Sequence, residues 1–243
     1  MSHQAPQIGF DRHLELHWLD AVASWAAASL SPAEIREQFD HLLATIDQGD
    51  TANRKNRTVL TAIWLRVPPE LAGFQETGLR LLPAATSDER TAIHFGRCMV
   101  TYPFFTFVAA QTGRLLGLQG EVTSSAIYRR VAERYGDRTR VRRSAQHVLS
   151  TFTAWRLLHT LQPGRYLAAD SLAVESAPLA GWLVEALLRA GDQSAAPLTA
   201  LLTHPVFFAF RLHPLSVGEL LHANPRLDAI QQGINEELIL LAQ

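Results

Sequence analysis

Cysteine occurs once in this chain of 243 residues, as Cys98, which excludes an internal disulfide and a thiolate cluster for a metal, and fits a reducing cytoplasm. Long apolar runs are absent too. The most apolar window, residues 99–110, falls well short of the roughly 20 residues that cross a bilayer, so a buried helix is expected there and no membrane partner. The start, MSHQAPQIGFDRH, lacks a basic stretch followed by an apolar one and does not read as a secretory signal. Gly113, Gly117 and Gly120 space a loop with no Lys-Ser/Thr behind it, so neither a phosphate loop nor a dinucleotide fingerprint is present. No nucleophile elbow, kinase set or paired-carboxylate signature appears, and the expectation is a non-enzymatic protein without cofactor or metal.

Lysine is also nearly missing, since Lys55 is the only one among 22 basic residues, and the arginines that remain are unevenly spread. Seven of the fifteen residues from 129 to 143 are arginine. Between Arg114 and Arg165 ten arginines face Glu121, Glu133 and Asp137, a net +7, so the rest of the chain carries −8 to reach the overall −1. Charge segregated in this way is the footprint of a surface that meets phosphates, whereas solubility alone would scatter both signs.

Punctuation predicts a mainly helical fold. Helices are expected over residues 14–30, from the capping box Ser31-Pro32-Ala33-Glu34 along Ile35, Phe39, Leu42, Leu43 and Ile46, and over 54–66 up to Pro68-Pro69. Thr86-Ser87-Asp88-Glu89 opens a long apolar helix toward Leu116, kinked or divided by Pro103. A short strand near Glu121-Val122 follows. Thr123 or Ser124 then caps a helix ending at Tyr135-Gly136-Asp137, and Thr139 caps another to about Trp155. Two short strands around Pro163-Gly164 come next. Helix, strand, helix, turn, helix, hairpin is the order of a winged helix-turn-helix domain, with the hairpin as wing. The expected division is a helical region 1–85, the winged helix 86–170 and a mainly helical region 171–243. In the last, helices are expected over 179–188, 195–202, 216–221 and 227–242, with strand chemistry over 206–212.

On this reading Arg140, Arg142, Arg143 and Gln146 lie on the exposed face of a recognition helix that buries Val141, Ala145, Val148, Leu149 and Phe152. Arg138 and Thr139 at its start meet the backbone of double-stranded DNA, where a helix N-terminus already favours phosphate. Arg129, Arg130 and Arg134 on the preceding helix and Arg165 on the wing add phosphate contacts. Six such contacts would give a log–log salt slope of about −5. The alternatives are a face paired through Glu133 and Asp137, or one that docks an acidic protein. The run Asn53-Arg54-Lys55-Asn56-Arg57 is a second basic spot that either extends a DNA track or is a solvated helix end.

Other candidates carry less. His13 and His17 share a helix face, as a zinc site requires, but no third ligand is marked, and surface histidines are the simpler reading. His94, His147, His204, His213 and His222 are isolated and receive no role. Cys98 lies mid-helix beside Arg97 and reads as a small buried hydrophobe, and Met99, Phe104, Phe105 and Phe107 as core.

The basic helix at 53–57, the kinked helix with Tyr102-Pro103-Phe104-Phe105, and Tyr135-Gly136-Asp137-Arg138 before a helix ending in Trp155-Arg156-Leu157-Leu158 resemble the BrxA family. Those are small helical proteins of BREX bacteriophage-defence systems. The resemblance runs from Ala52 to about Tyr166, half the chain, and rests on element order and loose residue patterns. It implies a bacterial, cytoplasmic, DNA-binding accessory with a winged helix, acting beside other defence-system proteins. The extension after Ala168 has no counterpart in that pattern. A winged-helix transcriptional regulator and a protein-docking module are the rival expectations, and oligomeric state is left open.

Overall fold

The computed structural model describes residues 8–44, 49–191, 194–232 and 236–242, and the statements below concern these. The chain is predominantly helical, with eleven α-helices and eight short strands in three small sheets. It is therefore not all-helical.

The N-terminal region is built from α1 (Leu16–Ala27), α2 (Pro32–Ala44), α3 (Asp50–Trp64) and α4 (Ala72–Leu81). Helix α2 begins at the expected capping box, in which the Ser31 N–H donates to Glu34 Oε2 at 2.8 Å and the Glu34 N–H to Ser31 Oγ at 3.4 Å. Phe39 and Leu43 are buried on its inner face, while Ile46 of the same stripe lies outside the described residues. Helix α3 starts one turn before the expected position, and α4, which the sequence did not announce, follows the double proline.

Helix α5 (Ser87–Thr101) opens on a second capping box, with the Glu89 N–H 3.2 Å from Thr86 Oγ1. Pro103 divides what the pattern ran together. Lacking an N–H, it occupies the first position of α6 (Pro103–Gln119), where none is needed. Arg97 of α5 is buried without a carboxylate, its Nε donating to the Ile63 carbonyl at 3.0 Å and its guanidinium 5.3 Å from the Trp64 ring and 5.8 Å from that of Phe74. Burial lowers its pKa to about 10, which leaves it charged at neutral pH. Cys98 is buried beside it, and burial pushes its thiol well up.

Next come β1 (Glu121–Thr123), α7 (Ser124–Tyr135), α8 (Thr139–Ala154), β2 (Leu158–Gln162) and β3 (Arg165–Ala168). Strand β3 pairs antiparallel with both others, Tyr166 standing opposite Val122 on β1 and Thr160 on β2, so the sheet order is β1-β3-β2. Gly164 turns the hairpin at φ 77°, a conformation that suits glycine. Thr123 caps α7, accepting from the Ala126 N–H at 3.2 Å. The expected cap of α8 is displaced by one residue. Arg138 is the N-cap, with extended backbone and no side-chain cap, and Thr139 is already helical.

A segment far away in sequence completes this unit. Phe10 and Leu14 are fully buried, the Leu14 N–H donates to Thr151 Oγ1 at 3.1 Å, and the Trp155 indole N–H donates to the Leu14 carbonyl at 2.8 Å. Phe10 meets Tyr102 edge-on at 5.5 Å. The start of the described chain is thereby pinned along α8.

The C-terminal region contains β4 (Leu172–Val174), α9 (Ala177–Ala190), β5 (Ala195–Pro197), α10 (Leu198–Leu202), β6 (Phe210–Leu212), α11 (Val217–Ala223), β7 (Leu227–Gln232) and β8 (Glu236–Leu241). The helix expected over 227–242 is instead the hairpin β7–β8, which β5 extends in the order β5-β8-β7. Pairing with β5 overrides the helix propensity of its Ala, Gln, Glu and Leu residues. Likewise 195–202 splits into a strand and one helical turn, and only 210–212 of the expected strand pairs, parallel to β4.

Trp182 of α9 stacks on Phe74 at 4.3 Å and donates its indole N–H to the Phe74 carbonyl at 2.8 Å. Glu185, fully buried on the same helix, receives Arg226 Nη2 at 2.8 Å, Arg189 Nε at 2.7 Å and Asn224 Nδ2 at 2.8 Å. Burial alone would raise its pKa, but these donors outweigh that and hold it below the usual carboxylate range. At Gly113, helix α6 meets residues 205–207 so closely that a Cβ would stand 1.9 Å from the Pro205 carbonyl oxygen. The buried side chains of all three regions form one apolar cluster, from Ile8 to Ile239. Among the described residues no helix is long and apolar enough to cross a membrane.

Candidate nucleic-acid interface

Helix α8 takes its phase from its apolar residues. Val141, Ala145, Val148, Leu149 and Phe152 are all buried, which turns Arg140, Arg142 and Arg143 to solvent. Gln146 is half-buried, accepting from the Tyr128 hydroxyl and standing 3.4 Å from Ser150 Oγ, so its amide is engaged within the protein.

The arginines do not form one continuous face. Arg142 is gripped by Asp137 in a two-pronged pair at 2.8 Å for both contacts, and Arg129 lines the same shallow groove between α7 and α8 with Glu133. This part of the segment is locally balanced. Arg138 folds back, its Nη2 donating to the Tyr135 carbonyl at 2.9 Å. Arg134 points away from α8, 5.0 Å from the Phe107 ring of α6. Arg130 is half-buried, and its Nε has no partner among the described residues. On the hairpin, Arg165 pairs with Glu121 of β1 at 2.7 Å.

Arg140 and Arg143 are placed differently. Together with Arg12, from the segment pinned along α8, and Lys55 of α3 they line a cleft of about 590 Å³, which Thr139, Ser144, His147 and a single carboxylate, Asp11, complete. Four cations thus converge from three parts of the chain on the uncapped start of α8, whose first N–H groups and helix dipole carry the same sign. Ser144 is buried, and among the described residues neither its hydroxyl nor the buried Arg12 Nε has a partner. Burial, and next the charge of Arg12, keep His147 below its ordinary pKa of 6.5, so it is neutral at pH 7 and offers a ring nitrogen rather than a fifth positive charge. A cleft so lined can take an oxyanion such as a phosphate diester.

Of the residues singled out from sequence, then, Arg140, Arg143 and Thr139 come together with Lys55 of the second basic spot. Arg57 of that spot pairs with Asp40, and Arg54 lines a separate groove with Asp40 and Asp50. Arg12, Ser144 and His147 went unnoticed as site residues. Nothing within the sequence around Arg12 signals its role, because that role depends on the pinning of Leu14 to Thr151 and Trp155. His13 and His17 do not converge, the first bonding Glu15 at 2.7 Å and the second lying against Trp18.

No family model, curated protein or solved structure matches this chain.

Proposed function

We propose that the protein is a non-enzymatic, double-stranded-DNA-binding protein, that residues 103–168 act as a winged helix, and that it holds DNA chiefly through backbone phosphates at the Arg12–Lys55–Arg140–Arg143 cleft. The observation that carries this is the convergence of four cations against one carboxylate at the uncapped N-terminus of an exposed helix. The order α6-β1-α7-α8-β2-β3, with β1 joining the hairpin, supports reading α8 as the helix presented to a groove and β2–β3 as the wing. With Gln146 turned to Tyr128 and Arg142 to Asp137, contacts to base edges are few, and sequence preference is correspondingly modest. The resemblance to BrxA extends the proposal to an accessory role in a bacteriophage-defence system, alongside other proteins of that system.

The test is fluorescence anisotropy of a labelled random duplex at two salt concentrations, with an Arg140→Glu/Arg143→Glu variant whose circular dichroism and melting are checked in parallel. Salt-dependent binding that disappears in the folded variant is expected. Absence of binding at low salt overturns the nucleic-acid reading, and undiminished binding by the variant overturns the cleft.

A further inference from the structure

A second cavity, of about 170 Å³, lies between α6 and the α9–α10 corner, remote in kind from the basic cleft because its walls are mostly apolar. Phe107 and Ala110 of α6, Leu187 of α9 and Leu201 of α10 form those walls. For scale, an apolar cavity of roughly 150 Å³ accommodates one benzene ring. The polar lining is Gln111, Arg114 and His204, with Thr106 of α6 and Arg134 of α7 beside the Phe107 wall.

Each of these three is set up to donate or is left wanting. Gln111 is 5% exposed, and its buried side-chain carbonyl oxygen has no partner among the described residues. Amide oxygen and nitrogen exchange places by a flip, so the same side chain can turn its NH2 toward an acceptor in the cavity. His204 accepts the Val206 N–H on Nδ1 at 3.2 Å, which places the proton of the neutral ring on Nε2, a donor. Burial, and then the nearby Arg114, hold that ring below its ordinary pKa, in keeping with the neutral form. Arg114 is exposed and supplies formal charge on the side of His204, while a second guanidinium, that of Arg134, lines the cavity near Phe107.

We propose that this cavity binds a small organic monocarboxylate, its body one ring or a short branched chain, with the carboxylate held by Arg114, His204 Nε2–H and the Gln111 amide. A mostly apolar compartment of single-ring size with cationic and neutral donors on its wall fits an amphipathic acid better than a neutral hydrocarbon, which would leave the donors and the amide unpartnered. It fits an inorganic oxyanion poorly, because the apolar walls would desolvate the charge on every other side. The approach of residues 204–207 to α6 at Gly113 keeps His204 in place, so the cavity is largely preformed. The site is separate from the DNA cleft and stands whether or not the chain binds DNA.

Isothermal titration calorimetry with benzoate, benzamide and inorganic phosphate tests it directly. Benzoate is expected to bind saturably with one site per chain, and benzamide and phosphate at least about tenfold more weakly. Arg114→Ala, at an exposed position, should weaken benzoate by about tenfold or more without moving the melting temperature. Ala110→Leu, which fills the apolar end, should abolish binding, and its melting curve reports whether it remains folded. If it does not, Gln111→Leu, which removes one of the carboxylate's donors with little added volume, should weaken benzoate several-fold, and unchanged affinity in that folded variant counts against the proposal. No saturable heat with benzoate up to about 10 mM overturns the proposal. Equal binding of benzamide, or benzoate affinity unchanged in Arg114→Ala, also overturns it, since the carboxylate would then not be what the site recognises.

Discussion

The most informative perturbation is removal of the two cleft cations, Arg12 and Lys55, that lie outside the segment from α6 to β3. If Arg12, Lys55, Arg140 and Arg143 each neutralise one phosphate, the log–log salt slope is about −0.9 per contact, or about −3.6 in all. Raising the salt from 50 to 200 mM then weakens binding by about 150-fold. Arg12→Ala/Lys55→Ala leaves two contacts, a slope of about −1.8 and a loss of only about 12-fold over the same range. The variant should remain folded, because Lys55 is exposed and Phe10 and Leu14 on either side of Arg12 retain their buried anchors. Arg54→Ala is the control, a cation on the same helix that lines another groove with Asp40 and Asp50, and its slope should equal that of the parent. Fluorescence anisotropy at five or so salt concentrations, with melting curves for each protein, measures all of this. An unchanged slope in the double variant refutes the convergence, and an equal change in Arg54→Ala shows that net charge alone is at work.

Three further outcomes follow from the packing. His94 is fully buried and receives Trp64 Nε1–H on Nδ1 at 3.2 Å, so it donates from Nε2 to Asp20 at 3.0 Å, and burial holds its pKa below 6.5. Burial works to raise the pKa of Asp20, yet hydrogen bonds from His94 and Arg90 bring it below 3.8. Below about pH 6.5 the unfolded chain takes a proton that folded His94 refuses, and the Asp20 contribution goes as pH falls through its own depressed pKa, so both act in one direction. Melting temperature should therefore fall from pH 7.5 to pH 5, and a flat or rising profile would contradict this. Glu185→Leu strands Arg226 and Asn224 and should cost about 3 kcal/mol in urea denaturation, with a loss under about 1 kcal/mol counting against the ion-pair account. Gly113→Ala drives a methyl into the Pro205 backbone and should destabilise by more than about 1 kcal/mol, whereas Gly117→Ala on the same helix, with nothing within 4 Å, should be neutral or stabilising. Equal effects at the two glycines would show that helix propensity, not contact, governs both.

What the sequence disclosed was local chemistry. Ser31 with Glu34, Thr86 with Glu89, Thr123 before α7, Pro103 at the division and Pro163-Gly164 at the hairpin each act within four residues, and each element begins or turns where those residues require. The phase of α8 was legible for the same reason, since its apolar positions recur at helical spacing. Longer-range matters were not. The 227–242 stretch reads as helix because the hairpin β7–β8 is extended by β5, which pairs with β8 from some forty residues upstream and leaves no trace in the stretch's own pattern. Arg129, Arg134, Arg138 and Arg142 looked equivalent to Arg140 and Arg143 by charge; the local pairing of Arg142 with Asp137 was among the readings the sequence offered, whereas the Phe107 ring beside Arg134, and Arg12 and Lys55 beside Arg140 and Arg143, come from distant parts of the chain.

The bonds from Leu14 to Thr151 and Trp155 span 137 and 141 positions, so they bear on how the molecule is assembled as much as on how it is held. During synthesis the Phe10–Leu14 segment emerges early and must wait for the end of α8 before it can be covered. Closing a loop of that length costs entropy before any contact returns it, which makes this one of the slower steps of folding. The basic cleft, which needs Arg12 beside Arg143, therefore comes into existence only late, and a nascent or partly folded chain would not yet possess it.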